Sequence, residues 1–213
     1  MNTPARAVPV DVLDYLDGQR DKMVHVLERM TLSESPSDDP DSQYEIREII
    51  ASELEQRGFM IHRVPGTTSG GMLHARPKNR KRGNPAQLIL GHYDTVWPIG
   101  TLADMPFEYQ DDTVKGPGVY DMKGGVAQAL LAIDALQHFG LEPEVTPHIF
   151  FNSDEEIGSR ESRRYIERLA PGMDRVFVLE PSLGPAGKLK TARKGIGRFT
   201  VTVSGEAAHA GLD

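Results

Sequence analysis

The sequence predicts an α/β domain, a sheet with helices on both faces, followed by the first strand of a second domain. Apolar runs of strand length alternate with amphipathic stretches of helix length over most of the chain, as in a sheet flanked by helices. Near residue 192 the pattern changes. Phe199, Val201 and Val203 alternate with Thr200, Thr202 and Ser204, as in a half-buried antiparallel strand. The 213 residues suffice for one large domain plus part of another. A tail of about twenty residues cannot make a domain alone. Residues 1–192 are therefore read as the main domain and 193–213 as the opening of a second.

In chain order, a helix is expected from Val10 to Met30, with Leu13, Leu16, Met23, Val24 and Leu27 as its apolar stripe. "SESPSDDPDSQ" then breaks the chain with turn residues. A second helix runs from Gln43 to Arg57, with Ile46, Ile49, Ile50 and Leu54 inward and Gly58 ending it. Strands are expected at Phe59–Val64, Met72–Arg76 and Gln87–Tyr93, separated by "PGTTSGG" and "RPKNRKRGNP". After Asp121, "VAQALLAIDALQHFG" places Val126, Leu130, Ile133 and Leu136 at helical spacing and stops at Gly140. "TPHIFFN" reads as a strand, "SRESRRYIERLA" as an exposed helix and "DRVFVLE" as a further strand.

A net charge of −7 argues against a nucleic-acid partner, and the basic run "KNRKR", flanked by Pro77 and Gly83, reads as a solvated turn. There is no cysteine, so neither disulfides nor thiolate metal ligands are available. The start lacks the apolar core of a signal peptide and no apolar run approaches membrane-spanning length, so a cytoplasmic protein without a membrane partner is expected.

Ligands of open α/β sheets bind beyond the carboxyl ends of the strands. Four such ends or following loops carry suitable groups: His92 and Asp94 after "LILG", Asp121 in "GPGVYDMKGG", Glu155 and Glu156 after "HIFFNSD", and Glu180 after "VFVL". In a pleated strand residues i and i+2 share a face, so His92 and Asp94 point the same way. Each site alone has a plainer reading: a helix cap for Asp121, a solvated loop for Glu155 and Glu156, a turn before Pro181 for Glu180. Together they converge on one edge of one sheet. Imidazole and carboxylates without thiolate suit zinc, cobalt or manganese. Neighbouring side chains diverge, so one of Glu155 and Glu156 can bind a metal while the other faces its water as a base. Asp94 is placed to accept the second ring N–H of His92.

"GHYDTV", "GPGVYDMKGG", "DEEIGS", "EPS" and "AAHAG", in this order, resemble the M20 metallopeptidase family over about residues 10 to 213. "GHYDTVWPIGTL" is most similar to its glutamate carboxypeptidase branch. The resemblance implies a zinc-exopeptidase-like catalytic domain with a mixed, mostly parallel sheet, and an α+β dimerisation domain. It implies two zinc ions per complete subunit, His92 and Glu180 on one, Glu156 on the other, and Asp121 bridging both. Glu155 resembles the general base and Asp94 the partner that orients His92. His209, in "AAHAG", resembles the histidine that reaches into the partner subunit's site and helps hold the substrate. A non-proline cis peptide is implied at Asp121–Met122. The implied enzyme is a homodimer that cleaves a C-terminal peptide or N-acyl-amino-acid amide bond in a small substrate.

The family chain continues well beyond this one and returns to the first domain with a final histidine for the Glu156 metal. None of the seven histidines (His25, His62, His74, His92, His138, His148 and His209) follows such a segment. The chain is therefore expected to be a fragment that holds at most one metal well and turns nothing over. An N-acyl-amino-acid deacylase of the acetylornithine deacetylase or succinyl-diaminopimelate desuccinylase type shares the same motifs, and a non-catalytic metal-binding fragment is the third reading. A nucleotide-binding reading from Gly116-x-Gly118 fails, because the third glycine of that fingerprint falls at Asp121, whose charge repels a pyrophosphate.

Overall fold

The structure, a computed structural model, describes residues 9–80, 83–184, 186–192, 194–195, 197, 199–206 and 211. The chain packs as two units, Met1–Pro181 and Ser182–Asp213. The first holds strands β1 (Phe59–Val64), β2 (Met72–Pro77), β3 (Ala86–His92), β4 (Glu108–Gln110), β5 (Thr113–Lys115), β6 (Thr146–Asn152) and β7 (Arg175–Val178). Its helices are α1 (Pro9–Asp17), α2 (Arg20–Leu32), α3 (Gln43–Gln56), α4 (Gly124–His138) and α5 (Arg163–Leu169).

Five strands form one sheet in the order β1-β2-β6-β3-β7. β1 with β2 and β2 with β6 are antiparallel, while β3 lies parallel to both β6 and β7. The sheet is thus mixed, as expected, with two pairs of each kind. Every residue of the central strand β6 is buried, the polar Thr146, His148 and Asn152 as well as Ile149, Phe150 and Phe151. One face packs Ile149 and Phe151 against Met30 of α2, Ile46 and Ile50 of α3, and Val126 and Leu130 of α4. The other packs Phe150, Leu88 and Met72 beneath Tyr165, Ile166 and Leu169 of α5. Because β3, β6 and β7 run in one direction, their carboxyl ends lie along one sheet edge.

Some elements differ from expectation. The helix expected from Val10 to Met30 is two helices, broken at Gly18 and Gln19. Glycine holds a helix poorly, and the first piece turns away from the stripe, leaving Leu13 exposed while Tyr15 stacks on His138 at 4.2 Å. "EYQDDTVK", where no element is expected, forms the β4–β5 hairpin. Asp111 and Asp112 both take positive φ (52° and 58°) at its tip, the geometry of a tight two-residue hairpin turn. Among the described residues of the second unit, 199–206 form no hydrogen-bonded strand, and Phe199, Val201 and Val203 are exposed. A strand needs a neighbour, and among the described residues none pairs with this segment. Among the described residues no helix is long and apolar enough to cross a membrane.

Candidate metal centre

The centre is built at the end of β3. Gly91 is glycine because a Cβ there would lie 2.7 Å from Met122 Cε and 3.2 Å from the Phe151 ring. Its absence lets Met122 fold over the strand end, where Met122 Sδ accepts the His92 N–H at 3.2 Å. That contact carries the neighbouring Asp121 over β3. The Asp121–Met122 peptide is cis, as the resemblance implied.

The His92 side chain is almost wholly buried. Its Nε2 lies 3.3 Å from Asp121 Oδ1, 3.6 Å from Glu180 Oε1 and 3.9 Å from Glu155 Oε2. None of these is aligned as a hydrogen bond, so Nε2 is a buried polar atom without a partner. One ligand atom each from His92, Asp121 and Glu180 lies within 4.8 Å of the other two. Burial opposes a charge on this ring, but Asp121, Asp94 and Glu180 crowd it and hold its pKa up to about 12. His92, Asp121 and Glu180 could take a metal ion in place of that proton. A three-ligand nitrogen and oxygen set around an orphaned imidazole nitrogen fits a zinc-type ion with an open position.

His92 Nδ1 is oriented from the other side, bonded to the Asp94 main-chain carbonyl at 3.0 Å and lying 3.3 Å from Asp94 Oδ1. The expected contact of Asp94 with the ring is thus shared between its carbonyl and its carboxylate. The buried carboxylate has further partners: Ser37 Oγ donates to it at 2.7 Å, and the main-chain N–H groups of Glu155 and Glu156 donate at 3.3 and 3.2 Å. Sequence reading missed these. Asp94 therefore holds the imidazole and the loop after β6 together.

Glu155 is exposed, its carboxylate toward the open side of the centre, and its pKa is raised by burial of part of the group and by the Glu180 and Asp94 charges. Glu156 is pushed to about 7, by burial first and then by the surrounding carboxylates of Asp121, Glu155 and Asp94. Among the described residues Glu156 is not within the ligand group of His92, Asp121 and Glu180. His209 lies outside the described residues. Lys123, also unforeseen, is buried two residues after Asp121, where its ammonium donates to Ser33 O at 3.2 Å and burial lowers its pKa to about 7.

Residues 88–209, more than half the chain, match the profile of peptidase family M20/M25/M40. The chain belongs to peptidase family M20/M25/M40. It is 32% identical to carboxypeptidase G2 of Pseudomonas sp. (strain RS-16) over 89% of its own length and 46% of that protein's. It is 29% identical to succinyl-diaminopimelate desuccinylase of Bradyrhizobium sp. (strain ORS 278), over 76% of its length and 45% of the relative's. The chain thus spans about half the length of these curated M20 relatives. In fold it is similar to human carnosine dipeptidase 1, with a TM-score of 0.70 and 20% identity over 81% of this chain and 41% of that one. It is also similar to the dipeptidase Dug1p of Saccharomyces cerevisiae, with a TM-score of 0.65 and 21% identity over 78% and 40%.

Proposed function

We propose that this chain carries the first metal site of an M20-type metallohydrolase that cleaves a C-terminal peptide or N-acyl-amino-acid amide bond, glutamate carboxypeptidase-like in its specificity. The observation that carries this is the buried, partnerless Nε2 of His92 facing the carboxylates of Asp121 and Glu180. His92, Asp121 and Glu180 hold one divalent ion, zinc in the first instance, with cobalt or manganese suited to the same donors. The ion, when bound, supplies an activated water and polarises the scissile carbonyl. Glu155 takes the proton from the attacking water and returns it to the leaving amine, for which its exposed position and raised pKa suit it. Asp94 keeps the His92 ring in place. Glu156 and Asp121 offer two carboxylates to a second ion, too few to hold it tightly.

In the complete protein, His209 helps bind the substrate from a partner subunit, across a dimer built through the domain that opens at about residue 193. A deacylase acting on N-acyl amino acids is the second reading, supported by similarity to the desuccinylase.

Metal analysis tests the site. After equilibration with zinc and dialysis, the 213-residue chain should retain one ion, and His92→Ala and Asp121→Ala should retain none. Unchanged zinc in His92→Ala would overturn the assignment. Two tightly held ions, both lost in Asp121→Ala, would show the second site to be complete within this chain. Turnover of an N-acyl-glutamate against an N-succinyl amino acid by the complete protein separates the two substrate readings.

A further inference from the structure

The segment between α2 and α3, which its composition marks as a turn-rich break, is buried against the metal centre. Ser35 and Ser37 are buried, as are Asp94 and Ser153. Residues 35–37 run beside the chain that leaves β3: Thr95 N donates to Ser35 O at 2.9 Å and Ser37 N to Thr95 O at 3.0 Å. Ser35 Oγ donates to Tyr93 O at 2.7 Å. Gln43, the first residue of α3, is fully buried and spends its amide on three loops. Its Nε2 donates to Pro36 O at 2.8 Å and to Ser153 O at 3.0 Å, and its Oε1 accepts from Gly70 N at 2.7 Å. Gly70 has no room for a side chain, since a Cβ would stand 2.4 Å from that Oε1.

We propose that Ser37 and Gln43 are positioning residues of the metal centre: Ser37 fixes the Asp94 carboxylate, and Gln43 ties the loop carrying Glu155 and Glu156 to the same segment. This rests on the reading of His92 as a metal ligand. Of the four groups around the Asp94 carboxylate, the Ser37 hydroxyl is the nearest, at 2.7 Å, against 3.2 to 3.3 Å for Glu156 N, Glu155 N and His92 Nδ1. A hydroxyl bond to a buried carboxylate is short and strong, and it sets the rotation of the carboxylate about its Cβ–Cγ bond. Without it, the remaining donors are free to pull the carboxylate round and the ring loses its fixed partner. Gln43 acts on the other end of the same chain of bonds. It holds Ser153 O while Asp94 holds the N–H groups of Glu155 and Glu156, so the proposed base is pinned from both sides.

The test uses the 213-residue chain titrated with zinc and, for its visible spectrum, with cobalt. Partners that orient a metal-binding histidine are worth roughly 10–100-fold in metal affinity. Ser37→Ala is expected to weaken zinc binding by about tenfold, the low end of that range, and to change the cobalt absorption bands. Ser37→Thr, which keeps the hydroxyl, should restore both. Gln43→Glu, which keeps the bond to Gly70 but loses both donated bonds, should move affinity in the same direction as Ser37→Ala. A merely structural role would lower the melting temperature of the metal-free chain and leave affinity and spectrum unchanged; that result, in Ser37→Ala and Gln43→Glu alike, overturns the proposal. His92→Ala is the control. If it loses the metal while Ser37→Ala and Gln43→Glu both bind normally, the positioning claim alone fails. If His92→Ala binds as the parent does, the metal-centre reading fails and takes the positioning claim with it.

Discussion

The proposed function gives the adjacent Glu155 and Glu156 two different roles, and both sit on the loop that Asp94 holds. Both main-chain N–H groups donate to the Asp94 carboxylate, and the Glu155 carboxylate lies 3.9 Å from His92 Nε2. Glu155→Gln keeps the size of the side chain and removes its basicity. Zinc retained by the chain should be unchanged, whereas turnover by the complete protein should fall on the order of 10²–10⁴-fold, the usual worth of a general base. Loss of zinc in Glu155→Gln with retention in Glu156→Gln would reverse the two roles. That His92, Asp121, Glu155 and Glu180 come together was legible in the sequence, because each follows a strand or opens a helix within a distinctive motif. The bonds to Asp94 were not. Ser37 sits in a run of serines, prolines and aspartates that composition reads as solvent-exposed, and only the packing of α3 against the sheet buries it. Hydrogen bonds between residues 57 apart leave no local signature.

Strong periodicity made the elements readable, and weak or short signals made them fail. The apolar Ile149–Phe151 of β6 and the helical spacing of α4 led to bounds within a few residues of those observed. The β4–β5 hairpin, of three-residue strands, was lost in its charge, and the break at Gly18 was hidden by a continuous apolar pattern. Also invisible was the charged cluster that joins α2, α3 and α4. Arg57 binds Glu53 at 2.6 Å and Asp134 at 2.8 Å, Lys22 adds a bond to Asp134 at 2.8 Å, and Arg29 binds Glu53. Arg57, Glu53 and Asp134 are all buried. Asp134→Ala strips Arg57 of one of its two carboxylates but leaves it on Glu53, so the change should cost about 1–3 kcal/mol, the worth of a charged hydrogen bond, in urea unfolding of the metal-free chain. Glu161 does comparable work between loops. Its carboxylate accepts from the N–H and hydroxyl groups of Thr67 and Thr68 and from the Ser69 hydroxyl. Burial opposes the charge, but these donors outweigh it and hold the pKa down to about 2. A carboxylate with a depressed folded pKa stabilises fully above the ordinary glutamate range and loses that contribution as pH falls toward about 2. Glu161→Gln should therefore lower the melting temperature near neutral pH, by an amount equivalent to about 1–3 kcal/mol. It should also flatten the decline between pH 4.5 and 2 that the parent shows. An equally steep decline in the variant would show that other carboxylates control acid unfolding.

At the scale of the whole molecule, the sheet is protected unevenly. Among the described residues, α2, α3 and α4 cover it on one side, and on the other only the short α5 does. β7 is an edge strand, and all four of its residues are exposed, with Val176, Phe177 and Val178 between 43% and 55% accessible. In the second unit Phe199, Val201 and Val203 are 84% to 90% accessible. An apolar edge strand with free main-chain groups recruits another chain unless something blunts it, and the one charge on β7, Arg175, stands at its first residue bonded to Gln87 of β3, leaving Val176–Val178 uncharged. The 213-residue chain is therefore expected to self-associate, its weight-average mass in sedimentation rising with concentration in the micromolar range. The two exposed features make separable contributions. Phe177→Lys places a charge on the edge and should shift the association to higher concentration if β7 is the contact. Replacing Phe199, Val201 and Val203 together by serine should do so if the second unit is responsible. Because neither change touches His92, Asp121 or Glu180, zinc content should stay at one ion per chain in both. A monomer at all concentrations in the parent chain would show that these apolar surfaces are tolerated in water, and that the exposed edge is no liability to the fold.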